Sequence, residues 1–403
     1  MNEQAPILPP RFDALAPEVI ENPYPAYARL RDAGAICRGI PGTWMVTRYA
    51  EVAALLHDRR LGSEFPIAYH QLSAGKGAGS EFMSRIVLYR DPPAHTRLRK
   101  LIGQAFNAQL VRGLERHIGG LVESLLEPLR DGAEFDVMRD LASPLPLMVV
   151  CKLMGIPAVD HETIRPLALE LGRAFAAMVP QQAREAADAA VVALRDYLRA
   201  LLDERRDSPG ADLLSHMLEA AQGNDRLTRE EIVDNAVFSF FAGFETTTNL
   251  IGNGCAALLR HPDQLARLRT EPSLLSSAVD ELLRYDAPIQ GVARVVGNPI
   301  EVAGRRVMPG RVLVLLLGSA NRDERAFARP DELDVGRQPN RHLSFGGGIH
   351  YCMGATLSRI EARLAFAGLL ERFASLELAG EPVRQTETCF RAYASLPVVA
   401  RVL

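Results

Sequence analysis

The chain has 403 residues, 48% of them hydrophobic, and a net charge of −3. At about 150 residues per domain that length allows two or three domains or one large one, and it can bury a sizeable core. The charge balance excludes a global drive toward nucleic acid or an anionic membrane, so any basic surface is local. The cysteines are Cys37, Cys151, Cys255, Cys352 and Cys389. No C-x-x-C pair occurs, so neither zinc spacing nor a redox dithiol is visible, and an odd number of cysteines does not suggest a disulfide framework. A reducing cytosol fits best. The stretch Met1 to Arg11 is polar and proline-rich and reads as neither signal peptide nor anchor. No run reaches about 18 uninterrupted apolar residues, so a soluble, cytoplasmic protein without membrane contact is expected.

Asn22-Pro23-Tyr24-Pro25 leads into a predicted helix from Ala26 to Asp32, which Gly34 ends. Ile36 to Arg48 reads as a hairpin around Pro41-Gly42, with Trp44 more a core than a site residue. A short helix is expected over Tyr49 to His57. Arg60 to Ser84, rich in Gly and Ser, reads as an irregular, mobile loop. Helical periodicity dominates from His95 to about Gly223, with breaks at Asp131-Gly132 and Gly155-Ile156-Pro157. Thr228-Arg229-Glu230-Glu231 is a capping-box start. It opens a long apolar helix to Arg260, stopped by His261-Pro262. A further helix covers Leu274 to Tyr285. Short strands are expected at Ile300 to Val302, Arg306-Val307 and Val312 to Leu317, and strands and turns in the last 30 residues. No repeat, low-complexity tract or clear domain boundary appears. The expected class is α+β, mostly α, with residues 1–403 as one domain.

The run Phe345-Gly346-Gly347-Gly348-Ile349-His350-Tyr351-Cys352-Met353-Gly354 is the most informative. Glycines let the backbone turn sharply and let a flat ligand come close. An amphipathic helix is expected from Met353 to about Phe373, and the amides and positive end of a helix N-terminus favour thiolate over thiol. A thiolate held there can ligate haem iron. A lone cysteine is otherwise a small buried hydrophobe. In the long helix, Ala242-Gly243-Phe244-Glu245-Thr246-Thr247 puts small residues mid-helix, where glycine costs about 1 kcal/mol relative to alanine. A ligand or a neighbouring backbone against the helix would explain that cost, and the hydroxyls can bond back to carbonyls and open the helix. Helix packing plus a solvated Glu is the plainer alternative. Glu281 and Arg284 stand at i and i+3, which by itself describes an ordinary surface pair. His95 and Arg99, at i and i+4 after Asp91-Pro92-Pro93, share a helical face.

The ten-residue run fits the haem-binding loop Phe-x-x-Gly-x-x-x-Cys-x-Gly at every fixed position. The chain therefore resembles a soluble, bacterial-type (class I) cytochrome P450 from about Asn22 to Leu396. The resemblance implies the cytochrome P450 fold, a large helical domain with small β-sheets and haem buried between two helices. It implies haem b (iron protoporphyrin IX) with Cys352 as the metal ligand, and Phe345, Gly348 and Gly354 shaping its loop. His95, Arg99, Arg294 and His350 would meet the propionates, with Ala242 and Gly243 against the haem where dioxygen binds. Thr246 would hydrogen-bond the iron-bound oxygen and Glu245 would help relay protons. Glu281, Arg284 and Arg337 would form a buried structural network, although Leu333 stands where Phe is frequent. Phe82, Ile86, Val87, Leu88, Phe238, Ser239, Ile289, Val292, Tyr393 and Ala394 would line the substrate pocket, each with core packing as the alternative. Arg97, Lys100, Arg112, Arg116, Arg341 and Arg359 would face an acidic electron donor.

The implied activity is monooxygenation: insertion of one oxygen atom from O2 into a C–H bond or alkene of a small, largely apolar substrate, a secondary metabolite by analogy. With the whole length taken up by the haem domain, a fused reductase is not expected. Electrons would come from NAD(P)H through a reductase and a ferredoxin or flavodoxin. A monomer is expected. Two alternatives stay open: a P450-fold enzyme doing peroxide-driven oxidation, coupling, rearrangement or desaturation, and a non-enzymatic haem or gas sensor.

Overall fold

The computed structural model describes residues 12–402 apart from 41, 107, 177–179, 222–226 and 387–388, and only the backbone at 73, 108, 109 and 112. The expected hairpin tip at Pro41 and the side chain of Arg112 lie outside the described residues. Helices dominate. α1 (Pro17–Glu21) and α2 (Tyr24–Ala33) precede the antiparallel pair β1 (Ile36–Arg38) and β2 (Thr43–Val46), and α3 (Tyr49–Leu55) follows.

The stretch 60–84 is not the irregular loop its composition suggests. It holds β3 (Leu61–Gly62), α4 (Ile67–Ala74) and α5 (Ala78–Arg85). The order comes from distant partners. Gly79 N–H donates to Asp188 Oδ1 at 2.6 Å, giving the start of α5 an acceptor that its own sequence lacks. Asp91 accepts from the Ser63 and Glu64 amides at 2.8 and 3.2 Å.

α6 (Ala94–Ala105), α7 (Ala108–Leu126), α8 (Pro144–Met154), α9 (His161–Arg173), α10 (Gln181–Asp207) and α11 (Leu213–Ala220) fill the predicted helical stretch. The strand β4 (Glu134–Asp136) interrupts it after Asp131-Gly132. Gly155 ends α8 in the left-handed region at φ 71°, its amide bonding back into the last turn. α12 (Arg229–Leu259) opens with the expected capping box: Thr228 Oγ1 accepts from the Glu231 amide at 3.2 Å, and Glu231 Oε2 from the Thr228 amide at 2.8 Å.

After α13 (Pro262–Thr270) and α14 (Leu275–Tyr285), β5 (Val292–Val296) forms where only a pocket segment was expected. Next come β6 (Ile300–Val302), β7 (Arg305–Val307), β8 (Val312–Leu315), α15 (Leu317–Ala320), α16 (Ala355–Arg372) and β9 (Phe373–Leu378). The chain closes with β10 (Val383–Arg384), β11 (Tyr393–Ser395) and β12 (Pro397–Val402). The largest sheet has the order β1-β2-β8-β5-β3, with β2 and β8 parallel and the other pairs antiparallel. Its register pairs Arg294 of β5 with Leu313 of β8. The smaller sheets are β4-β12-β9, β10-β11 and β6-β7.

α12 is the axis of the core, and its glycines mark where neighbours touch it. A Cβ on Gly252 would stand 2.3 Å from Met138 Sδ, and one on Gly254 would stand 2.6 Å from Phe366 Cζ of α16. A methyl group at either place requires the core to open. α14 and the segment before the Cys352 loop are joined by a buried ion network. Arg284 donates to Glu281 Oε2 and Oε1 at 2.7 and 2.8 Å, and both side chains are fully buried. Arg337 Nε donates to both oxygens at 3.0 Å, Asn340 Nδ2 at 3.1 Å and the Asp334 amide at 2.9 Å. The guanidinium of Arg284 also meets the carbonyls of Asn321, Pro330 and Glu332.

Candidate active site

The loop around Cys352 takes its shape from α3. Gly346 and Gly348 have φ of 69° and 63°, in the region that disfavours side chains. A Cβ on Gly348 would stand 2.4 Å from the Leu56 carbonyl oxygen, and one on Gly347 would stand 3.1 Å from Leu56 Cβ. These glycines are thus required by the end of α3, beyond any need for a ligand to approach. The helix after the loop starts at Ala355, not Met353. Cys352 therefore precedes the first turn, with its amide donating to the Phe345 carbonyl at 3.0 Å. Burial raises its thiol pKa, against the pull of the Gly354 and Ala355 amides and of Arg99 and Arg359.

A basic cluster gathers beside this loop. The rings of His95 (α6) and His350 lie 4.3 Å apart, centroid to centroid. The Nε2 atom of each is buried and without a hydrogen-bond partner in the structure. Burial lowers His350 to about 3, helped by Arg294, His95 and Arg99. Burial likewise lowers His95. Arg294 is buried on β5, with Nη1 donating to the Ala293 carbonyl at 2.8 Å. Arg99 donates to the Tyr351 carbonyl. Two histidines with orphaned nitrogens and two arginines drawn together next to a cysteine match what an anionic, thiolate-ligated haem requires.

Along α12, nearly every residue from Ile232 to Leu258 is buried, but Phe238, Ser239, Ala242, Gly243 and Thr246 are partly exposed. Their spacing, i, i+1, i+4, i+5 and i+8, is one helical face. A buried helix with one accessible stripe borders an internal chamber. Thr246 Oγ1 donates back to the Ala242 carbonyl at 2.7 Å and Ser239 Oγ to the Asn235 carbonyl at 2.7 Å, while the helix stays unbroken. The cost of Gly243 has a packing explanation, since a Cβ there would stand 3.1 Å from Val150 Cγ2 of α8.

Glu245 is not solvated. It is 5% exposed, Oε2 has no partner, and a Cβ on Gly172 of α9 would stand 2.6 Å from that oxygen. Burial raises its carboxyl to about 8. Between the unfolded value near 4.5 and about 8, the folded state holds a proton that the unfolded state has lost. This residue therefore makes stability fall as pH rises through that window. Glu245→Gln should be more stable than the parent at pH 9, by on the order of a few kcal/mol, and the gain should vanish near pH 4. Thermal unfolding at the two pH values checks it, and an equal gain at both would contradict the assignment.

Other expected positions spread out. Phe82 and Ile86 are fully buried and Val87 nearly so, whereas Leu88, Ile289 and Val292 are partly exposed and Ala394 is on the surface. Tyr393 does not reach the chamber. Its hydroxyl accepts from Arg260 beyond the far end of α12, and Arg384 lies over its ring. Arg260 stands 14 residues from Thr246, roughly 21 Å along a helix. Of the basic residues, Arg97 is paired with Glu231 and Arg359 with Asp280, while Arg116 and Arg341 are exposed.

Sequence reasoning missed Ser358, whose hydroxyl meets Thr247 Oγ1 at 3.3 Å, and Glu361, buried on α16 with Oε2 unpartnered. The i, i+3 spacing of these polar residues on a largely apolar helix was the available signal. It also missed Asp280, which accepts from Arg359 and His342 at 2.7 and 3.2 Å.

The family model for cytochrome P450 matches residues 161–390. The biotin biosynthesis cytochrome P450 of Bacillus subtilis is 36% identical over 386 residues, covering 94% of this chain and 97% of the relative. The crystal structure of CalO2 superposes with a TM-score of 0.91 at 37% identity, over 97% of this chain and 98% of that one. That of P450BioI, in complex with hexadec-9Z-enoic acid ligated acyl carrier protein, gives 0.89 at 35% identity, over 95% and 100%. No helix among the described residues is long and apolar enough to cross a membrane. A family match beyond half the chain, with relatives above 30% identity along nearly all of it, puts this protein in the cytochrome P450 family.

Proposed function

We propose that this cytochrome P450 inserts one oxygen atom from O2 into a C–H bond or alkene of a small, largely apolar organic molecule, a secondary metabolite. The accessible stripe on α12, with Thr246 at one end and the buried acid Glu245 beside it, carries the reading. When bound, haem supplies dioxygen activation and oxygen-atom transfer. Cys352 would hold its iron, with Phe345 and Gly354 shaping the loop on that side. His95, Arg294 and His350, through buried donors, and the half-buried Arg99 would hold the propionates. The Thr246 hydroxyl, now bonded to the Ala242 carbonyl, can turn toward the chamber and offer a proton there. Glu245, held near neutral pH in its titration, can take up and release protons. The apolar faces of Phe238, Leu88, Ile289 and Val292 would exclude water and orient substrate.

Electrons would come from NAD(P)H by way of a reductase and a ferredoxin or flavodoxin, with Arg116 and Arg341 available to an acidic donor. The chain would work as a monomeric single haem domain in the cytoplasm. The test is turnover under 18O2 with a surrogate ferredoxin, its reductase and NADPH. The substrate is the compound giving the largest low-spin to high-spin shift. One labelled oxygen atom per product is expected, and Thr246→Ala should slow product formation by on the order of a hundredfold. Peroxide alone matching the reductase-driven rate would replace this reading with a peroxide-driven one.

A further inference from the structure

Aromatic residues make up 6% of the chain, yet rings from separate segments meet in one ribbon beside α12. Phe175, just past α9, stacks on Phe241 of α12 at 5.0 Å and 11°. Phe241 meets Phe390 at 5.9 Å. In the other direction Phe175 lies nearly parallel to Tyr89 at 6.4 Å and 20°, and Tyr89 continues edge-on to Phe65 at 6.0 Å. Phe82 backs the ribbon, fully buried, with its ring edge-on to Phe175.

The ribbon runs between the two halves of the site. The 3-10 turn Val87–Tyr89 packs against α6, the helix that bears His95 and Arg99, which brings Tyr89 toward the basic cluster. Phe241 adjoins Ala242 of the accessible stripe and lies one turn before Glu245. The loop bearing Phe390 is held by Arg391, which pairs with Asp286 and donates to the Ile20 and Glu21 carbonyls at 2.9 and 3.0 Å. Phe241 and Phe65 are buried and form the covered side of the ribbon. Tyr89, Phe175 and Phe390 are partly exposed, as is Phe238 on the stripe itself.

Aliphatic side chains fill apolar volume equally well, but rings offer a ligand offset-stacked and edge-to-face contacts beyond the area they bury. We propose that the chamber selects a planar aromatic substrate, with Phe175 as the specificity-determining residue and Phe241, stacked behind it, holding its ring in place. This rests on the haem-thiolate reading of the same site.

The test uses the full-length, haem-loaded protein, titrated with naphthalene and with trans-decalin and followed by the optical spin-state shift. Naphthalene should bind about tenfold more tightly than its saturated counterpart. Phe241→Leu and Phe175→Leu keep apolar bulk and should reduce the preference to about twofold. If one variant fails to load haem, the other carries the test. Equal or tighter binding of trans-decalin to the parent overturns the proposal, as does a preference untouched in both variants. No response to either compound, with imidazole still shifting the Soret band, overturns the aromatic assignment alone. No response to imidazole in the parent overturns the haem reading and the proposal together.

Discussion

Glu281→Gln should destabilise the protein by about 3–5 kcal/mol, a large share of the roughly 5–15 kcal/mol that holds a native fold together. Among the described residues Glu281 is the one carboxylate paired with Arg284 and Arg337, and its two oxygens accept from both guanidiniums, the Asn340 amide group and the Asp334 backbone amide. A glutamine keeps the shape but removes the charge and turns one acceptor into a donor facing other donors. Arg284 is fully buried, so its charge would have no solvent to fall back on. The carbonyls of Asn321, Pro330 and Glu332 keep partial compensation, which sets the loss at the size of a broken buried pair. Urea unfolding followed by far-UV circular dichroism measures it. A midpoint unchanged from the parent would mean that the network is ornamental.

Cys352→Ala should abolish the thiolate-type spectrum of the ferrous–CO complex and reduce monooxygenation to background. The loop holds no second cysteine: His350 lies against His95 in the basic cluster, and the Tyr351 carbonyl accepts from Arg99. Haem should still be retained in part, because the four basic residues and the apolar stripe are untouched. The variant therefore separates ligation from cofactor capture. A thiolate-type CO spectrum persisting in Cys352→Ala would move the ligand elsewhere, and the other cysteines could then be replaced in turn. Cys37, Cys151 and Cys255 are buried, and burial pushes Cys151 and Cys255 up to about 12, which makes them poor thiolates.

What could be read from the sequence was what is local. The opening of α12 was legible because Thr228 and Glu231 are three residues apart and satisfy each other. The stop of α8 was legible because Gly155 alone can take the left-handed turn cheaply. The order in residues 60–84 was hidden because its acceptor, Asp188, lies 109 positions downstream of Gly79. A solvated Glu245 stayed open as an alternative because nothing near it in sequence says that Gly172 of α9 covers it. The haem-binding motif named the family, but the reason for its glycines lay in α3. Phe175 and Phe390 had no signal at all, since a ring that joins a ribbon only in three dimensions looks like any other loop phenylalanine.

The contact between Gly348 and the Leu56 carbonyl bears on recombination among relatives. A crossover placed between positions 56 and 348 would pair the cysteine loop of one parent with the α3 terminus of another. Loops that carry a side chain at this position could only be accepted with an α3 end that stands further back. Chimeras of this chain should thus survive more often when both segments come from one parent, and breeding libraries can be partitioned accordingly.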